Sequence, residues 1–266
     1  MAGACFDGAM TLSTLVRGEG RPVIVLPWFG VGAAVAAEAF EPVFAGVSGW
    51  RRVYVDLPGT GGSAPVAPTS DAVLDAVAEL TAGVESFVLA GCSYGGYLAA
   101  ALARRIPDRV RGLLLVCSGV RIRPAERDLA GVLDPVPEPG WLDGVPEDLH
   151  EHFTQAIGTQ TATVAQRIAA VIDLDSAPDT EYLAALRTDG YALTSEDGTI
   201  DCETLILAGR RDRIAGYRDQ FALLGDCPRA SYAACAEAGH YLPFEQPDQF
   251  AATVRAFLAT QGTGAW

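Results

Sequence analysis

Phe87-Val88-Leu89-Ala90-Gly91-Cys92-Ser93-Tyr94-Gly95-Gly96-Tyr97-Leu98 carries an unbroken apolar run into a serine framed by glycines, and the alanine-rich residues that follow have helical spacing. A short apolar run bounded by turn residues reads as a strand buried on both faces. A sharp strand-to-helix turn after it exposes Ser93 at the carboxyl end of that strand. A serine hydroxyl is a poor nucleophile unless it is exposed, oriented and paired with a base. The glycines let such a turn lie close to neighbouring backbone. The turn also sets the Tyr94 amide at a helix N-terminus, where it can donate to a developing oxyanion. In a chain with 29 glycines the bare Gly-x-Ser-x-Gly pattern arises by chance about one time in eight. The strand before it and the helix after it therefore carry the reading.

On either side of this unit the same alternation repeats. Val23-Ile24-Val25-Leu26, Val53-Tyr54-Val55, Leu113–Cys117 and Thr204–Ala208 read as further buried strands, and residues 71–83, 95–105 and 247–260 have helical spacing. Strand–helix alternation with continuous strand hydrophobicity predicts an α/β fold with a doubly wound, mostly parallel sheet. Residues 10–16 alternate and are followed by Gly18-Glu19-Gly20, which predicts an antiparallel edge hairpin. Between Cys117 and Thr204 the pattern changes: five prolines from Pro124 to Pro146 break the first part, and 147–158, 161–173 and 179–190 then look helical. This divides the chain into a core of 1–120 with 201–266 and a helical cap insertion at 121–200, over the carboxyl edge of the sheet. The last residues, from Thr260 to Trp266, read as a tail.

Composition narrows the partners. In 266 residues, 33 acids against 19 bases give a formal charge of −14, the opposite of what phosphate backbones select. The reading is no nucleic acid, no membrane, and a small-molecule substrate, with the acid excess leaning away from highly anionic ones; nothing reports the oligomeric state. Half of the residues are hydrophobic, enough for a sizeable core. Cys5, Cys92, Cys117, Cys202, Cys227 and Cys235 are scattered, with no Cys-x-x-Cys pair and no His spacing suited to zinc. With no apolar span or leader pattern, the chain reads as a cytoplasmic protein with reduced thiols, needing no metal and no cofactor.

Activating a serine near neutral pH calls for imidazole, and the chain has three histidines. His150 and His152 fall in the insertion at i, i+2, pointing apart on a helix as solvated cap residues. His240 lies in Gly239-His240-Tyr241-Leu242-Pro243, a loop after the last strand and before the terminal helix. It completes the chain order Ser, Asp, His expected of this motif. Asp212, in Gly209-Arg210-Arg211-Asp212-Arg213, directly follows a strand and reads as the acid that orients the imidazole. The bland alternative is a surface Asp paired with its neighbouring arginines, and Asp128 and Asp134 are the fallback acids. Cys92, next to the serine, reads as packing.

Gly91–Gly96, Asp56-Leu57-Pro58-Gly59-Thr60-Gly61-Gly62-Ser63, Gly209–Asp212 and Gly239-His240 occur in an order that resembles the α/β-hydrolase superfamily. The resemblance is to its lidded branch of esterases, lactonases, aminopeptidases and carbon–carbon bond hydrolases, and covers nearly the whole chain. It implies catalysis by Ser93, Asp212 and His240, with the Asp56–Ser63 loop as scaffold. One departure stands out. The family carries His-Gly-x after its third strand, x giving the second oxyanion amide, and here stands Pro27-Trp28-Phe29-Gly30. Matching Pro27 to the His makes Phe29 the donor beside Tyr94; a shift of one makes it Trp28; Pro27 has no N–H. Trp28, Trp141, Tyr191 and Tyr241 are candidate pocket residues, with Tyr217 a further aromatic under the cap. The resemblance implies hydrolysis of an ester, lactone or thioester of a small to medium apolar substrate through an acyl-enzyme. The alternatives are a carbon–carbon bond hydrolase or lyase on the same triad, and a non-catalytic receptor. Serine at the nucleophile position disfavours the dehalogenase and epoxide hydrolase members, which use Asp there.

Overall fold

The computed structural model describes residues 12–175, 177–195 and 197–261. Seven strands form one sheet in the order β1-β3-β2-β4-β5-β6-β7. They are β1 Thr14–Arg17, β2 Arg21–Leu26, β3 Trp50–Val55, β4 Phe87–Cys92, β5 Val110–Val116, β6 Glu203–Gly209 and β7 Ala230–Cys235. All neighbouring pairs are parallel except β1 with β3. The doubly wound α/β sheet is as expected. The edge hairpin is not: β1 pairs with β3, not with β2, its neighbour in sequence. The fully buried Val53, Tyr54 and Val55 of β3 need partners on both edges, and the Gly18–Gly20 link crosses the start of β3. There Arg21 N–H donates to Gly49 O at 3.0 Å, and Gly20 presses so closely on Gly49 that a Cβ would collide with it. Residues 10 and 11, and the tail from 262 onward, lie outside the described residues.

Helices α1 Ala33–Phe44, α2 Ser70–Leu80, α3 Tyr94–Arg105, α7 Tyr217–Ala222, α8 Leu242–Glu245 and α9 Pro247–Thr260 follow strands β2 to β7, and α4 Glu147–Ala156, α5 Ala162–Ile172 and α6 Thr180–Asp189 stand between β5 and β6. The three latter helices fall where the periodicity predicts them. Two start on side-chain caps: Thr161 accepts from Val164 N–H and Asp179 from Tyr182 N–H, each satisfying an amide the helix leaves open. The proline-rich 121–146 stretch holds only a single short turn of helix, because proline removes donors and fixes φ.

Strand side chains alternate between two cores. Val25, Val88, Ala90, Val116 and Leu207 pack with α1 and α9 on one face. Ile24, Leu89, Leu113, Leu115 and Ile206 pack with α2 and α3 on the other. The insertion joins both, since Phe153, Ile157 and Ile168 belong to the first cluster and Tyr182, Leu186 and Tyr191 to the second. Among the described residues no helix is long and apolar enough to cross a membrane.

Candidate active site

Ser93 sits between β4 and α3 with φ 54° and ψ −118°, a left-handed conformation that costs an L side chain roughly 1–3 kcal/mol. The surroundings enforce it. Ser93 N–H donates to Val116 O at 3.1 Å, and Ser93 O accepts from Tyr97 and Gly119 at 3.0 and 2.9 Å. The flanking glycines are steric necessities. A Cβ at Gly95 would collide with the carbonyls of Leu26 and Pro27, and one at Gly91 with Gly95 O. Gly95 N–H in turn donates to Pro27 O at 3.1 Å, so the elbow is locked against the end of β2.

His240 Nε2 lies 2.8 Å from Ser93 Oγ, and its Nδ1 lies 3.0 Å from Asp212 Oδ2. Asp212 is fully buried. Its other oxygen accepts from the amides of Ile214 and Ala215, both at 2.9 Å, which fixes the plane of the carboxylate. The adjacent arginines are engaged elsewhere: Arg211 pairs with Glu237 at 2.7 Å, Arg213 pairs with Asp134, and Arg210 lies over the Tyr217 ring at 4.8 Å. Asp128 pairs with Arg218 at 2.9 Å, so both fallback acids sit in ion pairs away from His240. Cys92 is buried and burial pushes its thiol well up, which keeps it out of the thiolate form nucleophilic attack needs.

Among the described residues neither the Phe29 nor the Tyr94 amide has a hydrogen-bond partner. The Trp28 side chain is buried, donates from Nε1 to His240 O at 3.2 Å, and packs on Tyr241 and Phe244 at 5.7 and 6.1 Å. Phe29 stands edge-on to Tyr94 and Tyr191 at 5.4 and 5.3 Å, and Tyr94 and Tyr191 stack at 5.2 Å. A small cleft opens over Ser93 and His240, with Trp28, Phe29, Tyr191 and Tyr241 in its lining. Trp141 and Tyr217 are not in it. Trp141 is half-buried against the first core cluster, and Tyr217 is taken up by Arg210 and by Tyr232, which donates to its carbonyl at 3.0 Å. His150 points off, Nε2 at 2.9 Å from Val145 O. His152 keeps an exposed edge but turns into the cleft, Nε2 at 2.9 Å from Tyr241 Oη. The expectation of two simply solvated histidines thus fails for His152, because α4 packs its Phe153 face onto Tyr241 and carries the neighbouring ring along.

Three residues that the sequence reading passed over shape the site. Arg127 and Arg187 line the cleft. Glu245, buried, accepts from the amides of Gly158, Thr159, Gly239 and Tyr241 at 2.7–3.1 Å. A glutamate inside the apolar Leu242-Pro243-Phe244 turn just after His240 was the available signal for the last; nothing local distinguishes the two arginines. Among the described residues no cluster of three or more His, Cys, Asp or Glu could hold a metal ion.

Comparison with known proteins supplies the lineage. The model of the alpha/beta hydrolase family matches residues 23–253. The chain belongs to the alpha/beta hydrolase family. It is 30% identical over 249 residues to a pimeloyl-[acyl-carrier protein] methyl ester esterase of Chromobacterium violaceum, covering 90% of this chain and 87% of the relative. It is 29% identical over 197 residues to a 2-hydroxymuconate semialdehyde hydrolase of Pseudomonas putida, covering 70% and 66%. Matches to further curated relatives span only 58% or 59% of their length. Among solved structures, an alpha/beta superfamily hydrolase from Oenococcus oeni superimposes with a TM-score of 0.81 at 27% identity, over 95% of this chain and 97% of that one.

Proposed function

We propose that the protein is a serine hydrolase that cleaves a carboxylic ester through an acyl-enzyme. The observation that carries this reading is the unbroken chain of contacts from Asp212 through His240 to an elbow serine. In this reading Ser93 Oγ attacks the acyl carbon as His240 Nε2 takes its proton. Asp212 holds the imidazole in the tautomer that leaves Nε2 free to accept, and stabilises the imidazolium that forms. The Phe29 and Tyr94 amides, without a hydrogen-bond partner among the described residues, receive the oxyanion; a donor at Trp28 is the competing register. The imidazolium then protonates the leaving alcohol, and water repeats the sequence on the acyl-enzyme. Residues 121–200 act as a lid that narrows the cleft and sheds water from it, with Trp28, Tyr191 and Tyr241 as pocket walls. The five free cysteines among the described residues, four of them buried, suit a reducing cytoplasm.

A second reading uses the same three residues to break a carbon–carbon bond beside a carbonyl. The likeness to a hydrolase of 2-hydroxymuconate semialdehyde, a substrate whose name holds no ester, favours it. The test is one experiment: a fluorophosphonate probe and 4-nitrophenyl acyl esters on wild type and Ser93→Ala. The ester reading expects labelling and multiple turnover, both lost in the variant. Labelling with no turnover of any ester overturns it and leaves the second reading or a receptor role.

A further inference from the structure

The cleft above Ser93 is electropositive in a chain that is not. Acids outnumber bases by 33 to 19 overall, yet the charged lining of this cleft is Arg127 and Arg187, with no carboxylate; burial first, then the charges of His240 and Arg187, push the His152 ring down to about 4, so it stays neutral. Arg127 donates from Nε to Arg121 O at 3.2 Å and from its two terminal nitrogens to Ile214 O at 2.5 Å and Ile122 O at 2.7 Å. Those carbonyls fix the guanidinium but cancel none of its charge, and of its five N–H groups they use three. Arg187, on α6, lays its guanidinium over Phe29 at 4.7 Å and Tyr191 at 5.8 Å. Among the described residues neither arginine has an ion-pair partner.

Their fields converge. Burial pushes the Tyr191 phenol up, while the charges of Arg187 and Arg127 both pull it down. Burial pushes the Arg127 guanidinium down and Arg187 adds to this, while Tyr191, Asp212 and Asp219 pull it up without outweighing burial. Two cations lining one cleft with no carboxylate in its walls repel each other, and an anion seated there relieves both. The net charge of −14 does not cancel this, because at physiological salt the screening length is about 8 Å and the local groups decide. Phe29, Ile122 and Ile214 give the same cleft apolar side chains beside the arginines and Ser93.

We propose that the ester hydrolysed here carries a carboxylate, held by Arg127 and Arg187 at the far end of an apolar acyl chain. This rests on the ester-hydrolase reading and narrows its substrate to half-esters of dicarboxylic acids. In the reaction Ser93 Oγ displaces the alcohol from the acyl carbon, and the alcohol leaves with the proton His240 took from the serine. Water then displaces Ser93 and yields a second carboxylate and a proton, while the distal carboxylate passes through unchanged. An enzyme class that esterifies one end of a diacid must supply such a substrate.

The experiment compares three probes on the full chain: mono-4-nitrophenyl adipate, its neutral methyl ester, and 4-nitrophenyl 6-(trimethylammonio)hexanoate. The anionic probe is expected to exceed the neutral one at least tenfold in kcat/KM, through KM, with the cationic probe below both. Raising salt should narrow the gap. Arg187→Glu should invert the order of anionic and cationic probes. Because Arg127 also braces its loop, Arg127→Met is read only as the ratio between probes, which should fall. Equal kcat/KM for the anionic and neutral probes, or a preference that survives Arg187→Glu, overturns the proposal. Failure of the ester-hydrolase reading looks different, with no probe turned over whether or not Ser93 is labelled. In that event calorimetry of monomethyl adipate on Ser93→Ala still decides: binding weakened at least tenfold by Arg187→Glu supports the subsite, and no binding overturns it.

Discussion

Asp212 shows how much one side chain's orientation can decide. Its Oδ1 is spent on the Ile214 and Ala215 amides and its Oδ2 faces His240 Nδ1. In Asp212→Asn the amide oxygen has to stay on the two backbone donors, which puts the NH₂ against Nδ1. The imidazole must then carry its proton on Nε2, pointing at Ser93, and cannot accept from it. Turnover is expected to fall on the order of 10⁴-fold with little loss of thermal stability, as read by kcat/KM and circular dichroism on the same sample. Activity within a few-fold of wild type would remove Asp212 from the mechanism. Gly95→Ala is a steric counterpart. Its Cβ meets two backbone carbonyls at the end of β2, which have no rotamer to escape into. A cost of roughly 3 kcal/mol or more and loss of fluorophosphonate labelling are expected; a variant labelled at the wild-type rate would show that the elbow tolerates a shift. That Ser93, His240 and Asp212 should meet in space was readable from residue type and order alone, because imidazole is scarce in this chain and its chemistry is specific. Trp28 was ambiguous for a physical reason. Two registers of the Pro27–Gly30 loop offer different backbone donors, and only the fold shows its indole buried with Nε1 on His240 O.

The loop carrying His240 is held by a neighbouring element. Helix α8 supplies Glu245, whose carboxylate gathers the amides on both sides of His240, those of Gly239 and Tyr241, together with Gly158 and Thr159 from the α4–α5 link. His240 N–H itself donates to Ala156 O at 2.6 Å. One buried carboxyl thus ties the insertion to the catalytic loop. Burial pushes Glu245 up to about 7, against the pull of its four amide donors. Since the folded state holds this proton more tightly than the unfolded chain, whose carboxyl titrates near 4.5, the group's contribution to stability declines as pH rises from about 4.5 to 7 and is flat above. The span is about 3 kcal/mol at most. Glu245→Gln lacks this titration, so urea unfolding at pH 5 and pH 8 should show wild type losing up to about 3 kcal/mol relative to the variant. Parallel stability curves would mean the carboxyl does not titrate in that range. Helices and parallel strands were legible because their periodicities are local. The β1–β3 pairing was not, since register across a sheet edge depends on which strand is left needing a partner.

Across the whole molecule the insertion was legible as a compositional break, but its attachment was not. Prolines and helical spacing mark out 121–200, and α4 to α6 fall inside it, yet nothing local says that its side chains complete both cores of the sheet. They do: Phe153 is fully buried against the β2–β6 side, and Tyr182, Leu186 and Tyr191 extend the cluster under α2 and α3. Hydrogen bonds run along the same seams, with Asp179 N–H donating to Gly59 O at 2.9 Å, Gly32 N–H to Asp175 Oδ2 at 2.6 Å and Ser70 Oγ to Tyr191 O at 2.7 Å. A segment fastened this way cannot melt alone, because freeing it strips apolar cover from the sheet. Removing the Phe153 ring tests this. Phe153→Ala leaves a cavity at the junction worth about 3–5 kcal/mol, which in a chain of this size lowers Tm on the order of 10 °C. Scanning calorimetry should record that shift in a single transition, with the van't Hoff and calorimetric enthalpies still equal. A new low-temperature transition in the variant, with the main one unmoved, would instead make the insertion a separate folding unit resting on the sheet.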